Sequence, residues 1–304
     1  MGQTRFNFMR HGKATLALSA VLVVLSLISL GVRGLNLGID FTGGTLLERQ
    51  LGRPVTAGDV RQVLARAELA DLDVAGAVIQ PLDDPHDVLI RTRPLTSEEI
   101  ERLDAALAGA FGSVEILRTE LVGPVIGAEL VRRALLAVAL ASLGILVYVS
   151  LRFEFKFAVA SIVALLHDAI IATGVVSALG VEVNSPFIAA ILTVIGYSLN
   201  ATIVIFDRVR ENLQLRKGES IFDLLNRSLN ETLARTIHTS ATTLLVVVTL
   251  FLFGGSTLRD FMLVLLVGLT VGTYSSMMVA NPLWWLWKER EERRRGEASP
   301  APVR

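Results

Sequence analysis

One acid stands apart in this sequence. Asp168 lies 11 residues into the apolar run Phe157 to Val181, about 16 Å along a helix at about 1.5 Å per residue. An ionisable group at that depth in an apolar run is costly, and such groups mark ion or proton pathways. Ser161, Ala164, Asp168 and Ala172 fall on one helical face. Small residues there favour close helix contact, so the carboxyl is expected to face other helices. His167 adjoins it in the chain but lies about 100° round the helix.

Further polar residues follow the same logic. The run Pro186 to Phe206 carries Gly196, Asn200, Ile203 and Asp207 on one face, flanked by Tyr197. Asp207 and Arg208 sit at its boundary, where a solvated ion pair is the plain reading and a relay role the functional one. Arg235 opens the next run, with Thr239 and Thr242 on its face and His238 and Ser240 nearby. Arg235 either reaches to phosphates or pairs with a membrane carboxylate. The hydroxyls either bond back to their own helix or hold water. Gly268-x-x-x-Gly272, followed by Ser276, reads as a helix-packing face. Asp168, Asn200, Asp207 and Arg235 together have the composition of an ion or proton relay, supported by Tyr197, Thr239 and Thr242, with Gly196, Gly268 and Gly272 as packing positions.

These residues need elements that cross a bilayer. Six apolar stretches have the length for it: 14–32, 134–151, 157–181, 186–206, 237–253 and 261–287. The first follows Arg5, Arg10 and Lys13 but lacks a closing small-residue site, so it reads as an uncleaved span and not as a signal peptide. Segments 1–13, 151–157, 207–235 and 288–304 hold 17 of the 29 Lys and Arg residues. That bias places both termini in the cytoplasm. Segment 219–235 reads as an interfacial helix.

Composition agrees. Of 304 residues, 52% are hydrophobic and 19% charged, which argues against a disordered chain or a dissolved enzyme. There is no cysteine, hence no disulfide and no thiolate metal site. No phosphate-binding loop is present, no metal is expected, and no cofactor is called for.

The segment between the first two spans is polar. Strands are expected at 45–51, 74–80, 88–93 and 113–121, with helices from 56 to 69 and from a Thr96/Glu99 capping box to Gly112. The order β-α-β-β-α-β is that of a ferredoxin-like α+β domain. Its 15 acidic and 8 basic residues argue against a nucleic-acid partner. His86 stands alone there. The expected organisation is therefore an N-terminus (1–13), a first transmembrane helix (14–33), an extracytoplasmic domain (34–127), a five-helix membrane region (128–287) and a cytoplasmic tail (288–304).

Five strings carry a resemblance: Gly38-Ile-Asp-Phe-Thr-Gly-Gly44, Leu165-Leu-His-Asp168, the run from Gly196 through Asn200 and Asp207 to Asn212, Ala234-Arg-Thr-Ile-His-Thr-Ser240, and Phe253-Gly-Gly-Ser-Thr-Leu-Arg-Asp260. The chain resembles the SecD/SecF family of protein-export membrane subunits, RND-type transporters. The resemblance covers almost the whole chain. It implies six helices forming half of an RND-type bundle and a SecD partner with six more spans. It also implies work with the SecYEG channel on exported preproteins, driven by the proton gradient across the bacterial inner membrane. It places relay residues at the end of the fourth span and at Arg235. Many family members have Asp where this chain has Ala201, so the relay rests on Asp168, Asp207 or a SecD carboxylate, or the ion is sodium. Three rivals remain at this point: an independent RND-type exporter of lipids or small molecules, an aspartyl protease using Asp168 and Asp207, and a passive assembly factor.

Overall fold

The computed structural model describes residues 6–152 and 154–294. Ten α-helices and six strands follow one another in these residues. Six helical stretches are long and apolar enough to cross a membrane, and the chain is a multi-pass membrane protein. It divides into two compact units, one of residues 37–137 and 182–185, the other the rest.

Helix α1 (Gly12–Arg33) belongs to the membrane unit, and β1 (Asn36–Leu37) and α2 (Ile39–Thr42) lead from it to the main sheet of the other unit. That sheet contains β2 (Gly44–Leu51), β3 (Val78–Pro81), β4 (Asp87–Thr92) and β5 (Val114–Val122), in the order β3-β4-β2-β5. All three pairings are antiparallel. Helices α3 (Ala57–Leu64) and α4 (Ser97–Phe111) complete the β-α-β-β-α-β order. Leu47, Leu51, Val60, Leu64, Ile90, Leu103 and Leu107 form its core. The architecture is the expected ferredoxin-like one. The first helix is shorter than its hydrophobic spacing suggested. It stops at Leu64, and a 3₁₀ turn over Ala67–Leu72 ends at Asp73 in a left-handed conformation, φ 47°. The second strand accordingly starts at Val78 and not at 74.

The glycine pair that opens β2 has a backbone reason. Gly43 caps α2 at φ 70°, and Gly44 has φ 136°, both outside what side-chain-bearing residues readily adopt. A Cβ on Gly44 would also lie 2.4 Å from the Thr92 carbonyl oxygen across the β2–β4 ladder.

Helices α3 and α4 start with reciprocal capping boxes, Thr56/Asp59 and Thr96/Glu99. The Arg93 guanidinium, 2.7 Å from Glu99, holds that carboxyl below the usual carboxylate range, and the Thr96 N–H adds to it. Arg102 does the same for Asp71, and the Thr56 hydroxyl for Asp59. A depressed folded value contributes stability above the unfolded value of about 4, and that contribution is lost as pH falls through the folded one. Between pH 7 and pH 3, the first-turn amides of α3 and α4 are expected to lose hydrogen-exchange protection, after correction for intrinsic rates. Unchanged protection would refute this.

In the membrane unit, α1 runs beside α6 (Phe155–Leu179). The second span is part of α5 (Pro124–Arg152), a helix of 29 residues. After α6 the chain passes through a short β6 (Glu182–Val183), which belongs to the other unit, and α7 (Ser185–Gln214) forms the fourth span. Two expectations need correction here. Segment 219–235 is not a separate interfacial helix: α8 runs unbroken from Ile221 to Phe253. Its buried residues Leu224, Leu225, Ser228, Leu229, Thr232, Thr236 and Ser240 form one continuous stripe, and no Gly or Pro interrupts it. The last span is two helices, α9 (Ser256–Met278) and α10 (Ala280–Arg294). Pro282 lacks the N–H that would bond the Met278 carbonyl, so the ladder breaks there. The Thr15 hydroxyl of α1 donates to that carbonyl at 3.1 Å instead. On α10, Trp284 stacks on Phe157 of α6 with ring centres 4.8 Å apart.

Candidate functional site

Asp168 sits at the middle of α6 with no exposed surface. Its neighbours on the helix face, Ala164 and Ala172, are also fully buried. Small side chains let α7 and α9 approach closely. On α9, a Cβ at Gly268 would lie 2.3 Å from Val194 Cγ2 of α7, and a Cβ at Gly272 would lie 2.9 Å from Ser198 Cβ. That contact brings two hydroxyls to one oxygen. Ser198 Oγ donates to Asp168 Oδ2 at 2.5 Å and Ser275 Oγ at 2.7 Å. The other oxygen, Oδ1, is 2.8 Å from His167 Nδ1. The carboxyl group is thus enclosed by side chains from three helices, and both of its oxygens are met by short hydrogen-bonding contacts.

Ser198, Ser275 and His167 were not expected at this site. Ser275 could have been found, because Gly268, Gly272 and Ser275 share one stripe by i, i+4, i+7 spacing; Ser276, singled out instead, is one position off it. Ser198 belongs to the buried stripe of α7 with Ile191, Val194 and Ile195. His167 points elsewhere by helical angle, but its ring is long enough to turn back to the next residue's carboxylate.

The remaining expected relay residues form a second place. Tyr197, Asn200, Ala201 and Val204 of α7 line a pocket of about 50 Å³ with Arg235, Thr236, Thr239 and Ser240 of α8. Asn200 and Arg235 are exposed along this face. Tyr197 Oη donates to the Thr239 carbonyl at 2.7 Å, joining the two helices. The Thr239 and Thr242 hydroxyls donate back to the Arg235 and His238 carbonyls of their own helix. Among the described residues, no hydrogen bond joins Asp168 to Asn200 or Arg235. The expected continuous path is therefore two sites: an enclosed carboxylate and an outward polar face. Asp207 is exposed at the end of the span, and its neighbour Arg208 pairs with Glu231 and Glu211, both at 2.6 Å. Gly196 packs on nothing among the described residues, since a Cβ there would meet no atom within 4 Å.

Known proteins share this chain's sequence and fold. The family described as protein export membrane protein SecD/SecF, C-terminal, matches residues 102–290, and the SecD/SecF GG motif matches residues 28–55. The protein translocase subunit SecF of Desulfurispirillum indicum is 44% identical over 294 residues, covering 93% of this chain and 92% of that one. The SecF of Pseudomonas aeruginosa is 44% identical over 283 residues, covering 92% and 91%. The protein translocase subunit SecDF of Thermus thermophilus is 42% identical over 302 residues, covering 98% of this chain and 40% of that one. The crystal structure of SecDF from that organism, titled a translocon-associated membrane protein, superposes with a TM-score of 0.86 at 40% identity. It covers 93% of this chain, which spans about two fifths (39%) of the SecDF chain. With relatives of this similarity over nearly its full length, the chain belongs to the SecD/SecF family of protein export membrane proteins.

Proposed function

We propose that this chain is the SecF-type half of a transport pair. It joins a SecD-type chain and uses the proton gradient to promote export of unfolded preproteins delivered by a SecYEG channel. Asp168 carries this reading: a carboxylate enclosed in a membrane bundle, with a histidine and two hydroxyls in direct contact, is built to bind and release a proton. The pairing is supported by the Thermus relative, in which one longer chain named SecDF contains the matching region. It is also supported by the α7–α8 face. Asn200 and Arg235 are exposed there, and no hydrogen bond to either side chain is found among the described residues. A second bundle laid on this face would cover them and supply the carboxylate that Ala201 cannot. In this reading both termini are cytoplasmic, the ferredoxin-like domain is extracytoplasmic, and the chain resides in the bacterial inner membrane.

The test is export into vesicles containing the channel and this chain, with and without a SecD-type partner. A proton gradient is expected to stimulate export only when both chains are present, and a tag on this chain should capture the partner. Arg235→Ala is expected to remove most of the stimulation. Full gradient-driven activity of this chain alone would refute the reading and favour an independent exporter.

A further inference from the structure

The string Gly38-Ile-Asp-Phe-Thr-Gly-Gly44 holds more than the strand it opens. Residues 182–185 connect α6 to α7. They belong to the ferredoxin-like unit, although α6 and the rest of α7 belong to the other. Three contacts inside the ferredoxin-like unit fasten them. The Gly38 N–H donates to the Val183 carbonyl at 2.8 Å. The Ser185 N–H donates to Asp40 Oδ2 at 2.7 Å. Arg91 of β4 is buried; its Nη1 lies 3.4 Å from Glu182 Oε2 and 3.4 Å from the Leu37 carbonyl oxygen.

Each contact has a chemical reason. A Cβ on Gly38 would lie 2.2 Å from Glu182 Oε1, so a side chain there would push Glu182 from its place beside Arg91. Ser185 is the first residue of α7, and the dipole of a 30-residue helix favours a carboxylate at its amino end. The same turn also holds the first turns of α5, which belong to this unit too. A Cβ on Gly127 would lie 3.0 Å from the Gly43 nitrogen and 3.2 Å from the Phe41 carbonyl oxygen. Farther along, α6 and α7 meet through Asp168 and Ser198. Asp168 lies 11 residues before Leu179, the end of α6, which is about 16 Å along the helix. Hydrogen bonds to an ionised carboxylate are stronger than those to a neutral carboxyl. A change of charge at Asp168 therefore changes how firmly α6 and α7 are joined.

We propose that Asp40, Arg91 and Glu182 are positioning residues that hold the α6–α7 connection within the ferredoxin-like domain, so that a change of charge at Asp168 is transmitted to the domain. This rests on the reading of Asp168 as the proton-binding acid. Both α6 and α7 are unbroken helices, and rigid elements of that kind carry a shift to their joined ends. The Gly38 to Gly44 string is then a clamp as well as the start of a strand.

The test uses this chain with its SecD-type partner and the channel in vesicles. Asp40→Ala removes the acceptor for Ser185 and should lower gradient-stimulated export about fivefold or more. Export without a gradient, and the hydrogen-exchange protection of β2 and α4 amides, should stay unchanged. Asp40→Asn, whose oxygen can still accept from the Ser185 N–H, should keep most of the stimulation, and Glu182→Gln should lower it without loss of protection. Hydrogen exchange reads the link itself. Asp168→Asn should change protection in segment 38–44 of the parent chain, and the change should vanish in an Asp40→Ala background. Wild-type stimulation in both Asp40→Ala and Glu182→Gln would overturn the clamp. So would an Asp168→Asn effect on segment 38–44 that is absent in the parent or persists without Asp40. Loss of β2 and α4 protection together with basal export in Asp40→Ala would also overturn it, leaving Asp40 a folding role alone. Undiminished stimulation in Asp168→Asn would instead overturn the reading of Asp168.

Discussion

Asp168→Asn is expected to reduce gradient-stimulated export at least tenfold, to the level seen without a gradient, in a protein that still folds. Asn has the shape of Asp and cannot exchange a proton. Its oxygen can take the place of Oδ2, accepting from Ser198 and Ser275, while its amide faces His167 Nδ1. The cost to folding is then about 1 kcal/mol, of the order of one exchanged hydrogen bond. Asp168→Glu makes the complementary point. It keeps the acid but adds a methylene to a side chain that has no exposed surface and is held at both oxygens. Overpacking of that kind costs about 1–3 kcal/mol, so partial activity with lower stability is expected. Export from inverted vesicles with an imposed or collapsed gradient measures both. Wild-type stimulation in Asp168→Asn would leave the enclosed acid without a role in coupling.

The second large effect lies in the ferredoxin-like domain. Arg49 on β2 is fully buried, and its guanidinium bonds Asp104 of α4 through Nε at 2.8 Å and Nη2 at 3.1 Å. Nη1 reaches the Arg118 carbonyl at 2.8 Å and the Thr119 hydroxyl at 3.0 Å on β5. One side chain thus fastens a helix and an edge strand to the central strand, next to the register shift between Glu48 and Arg49. Removing one partner strands the other: Arg49→Ala or Asp104→Ala is expected to cost about 3–5 kcal/mol. The double change Arg49→Met with Asp104→Leu replaces the pair by apolar volume and should recover most of that loss. Hydrogen exchange of β2 and α4 amides in the full chain reports these differences. Additive losses in the double variant would refute the account.

The sequence made some features plain and hid others, for physical reasons. Hydropathy marked every span, because bilayer crossing demands length and apolarity and little else. The order of elements in the domain followed from hydrophobic spacing and from the Thr96/Glu99 capping box, signals that act locally. The unbroken α8 was less visible, since its charged first half looks interfacial when taken alone. Only the buried stripe continuing from Leu229 through Thr236 to Ser240 joins the halves. The break at Val279 was masked by apolar residues on both sides of Pro282. At the site, Asp168 was conspicuous by type. Ser198 and Ser275 were not, because hydroxyls are common in membrane helices and only a tertiary contact selects these two. The split between the enclosed acid and the Asn200–Arg235 face depends on how helices turn toward one another, which spacing within one helix does not fix.

The glycine contacts also constrain how such a chain can vary over time. Every single-nucleotide change of a glycine codon to another amino acid adds at least a Cβ. At Gly268 the atoms in the way belong to the Val194 side chain, the nearest at 2.3 Å, and its own Cβ stands back at 3.1 Å. A change to Ala at 268 can therefore be rescued by a smaller residue at 194, and the two positions are free to drift as a pair. Gly174 differs, because the Ser26 backbone Cα itself lies 2.6 Å from the site of a new Cβ. No substitution at 26 moves that atom, so position 174 has no compensating partner in α1 and is held fixed while its neighbourhood changes.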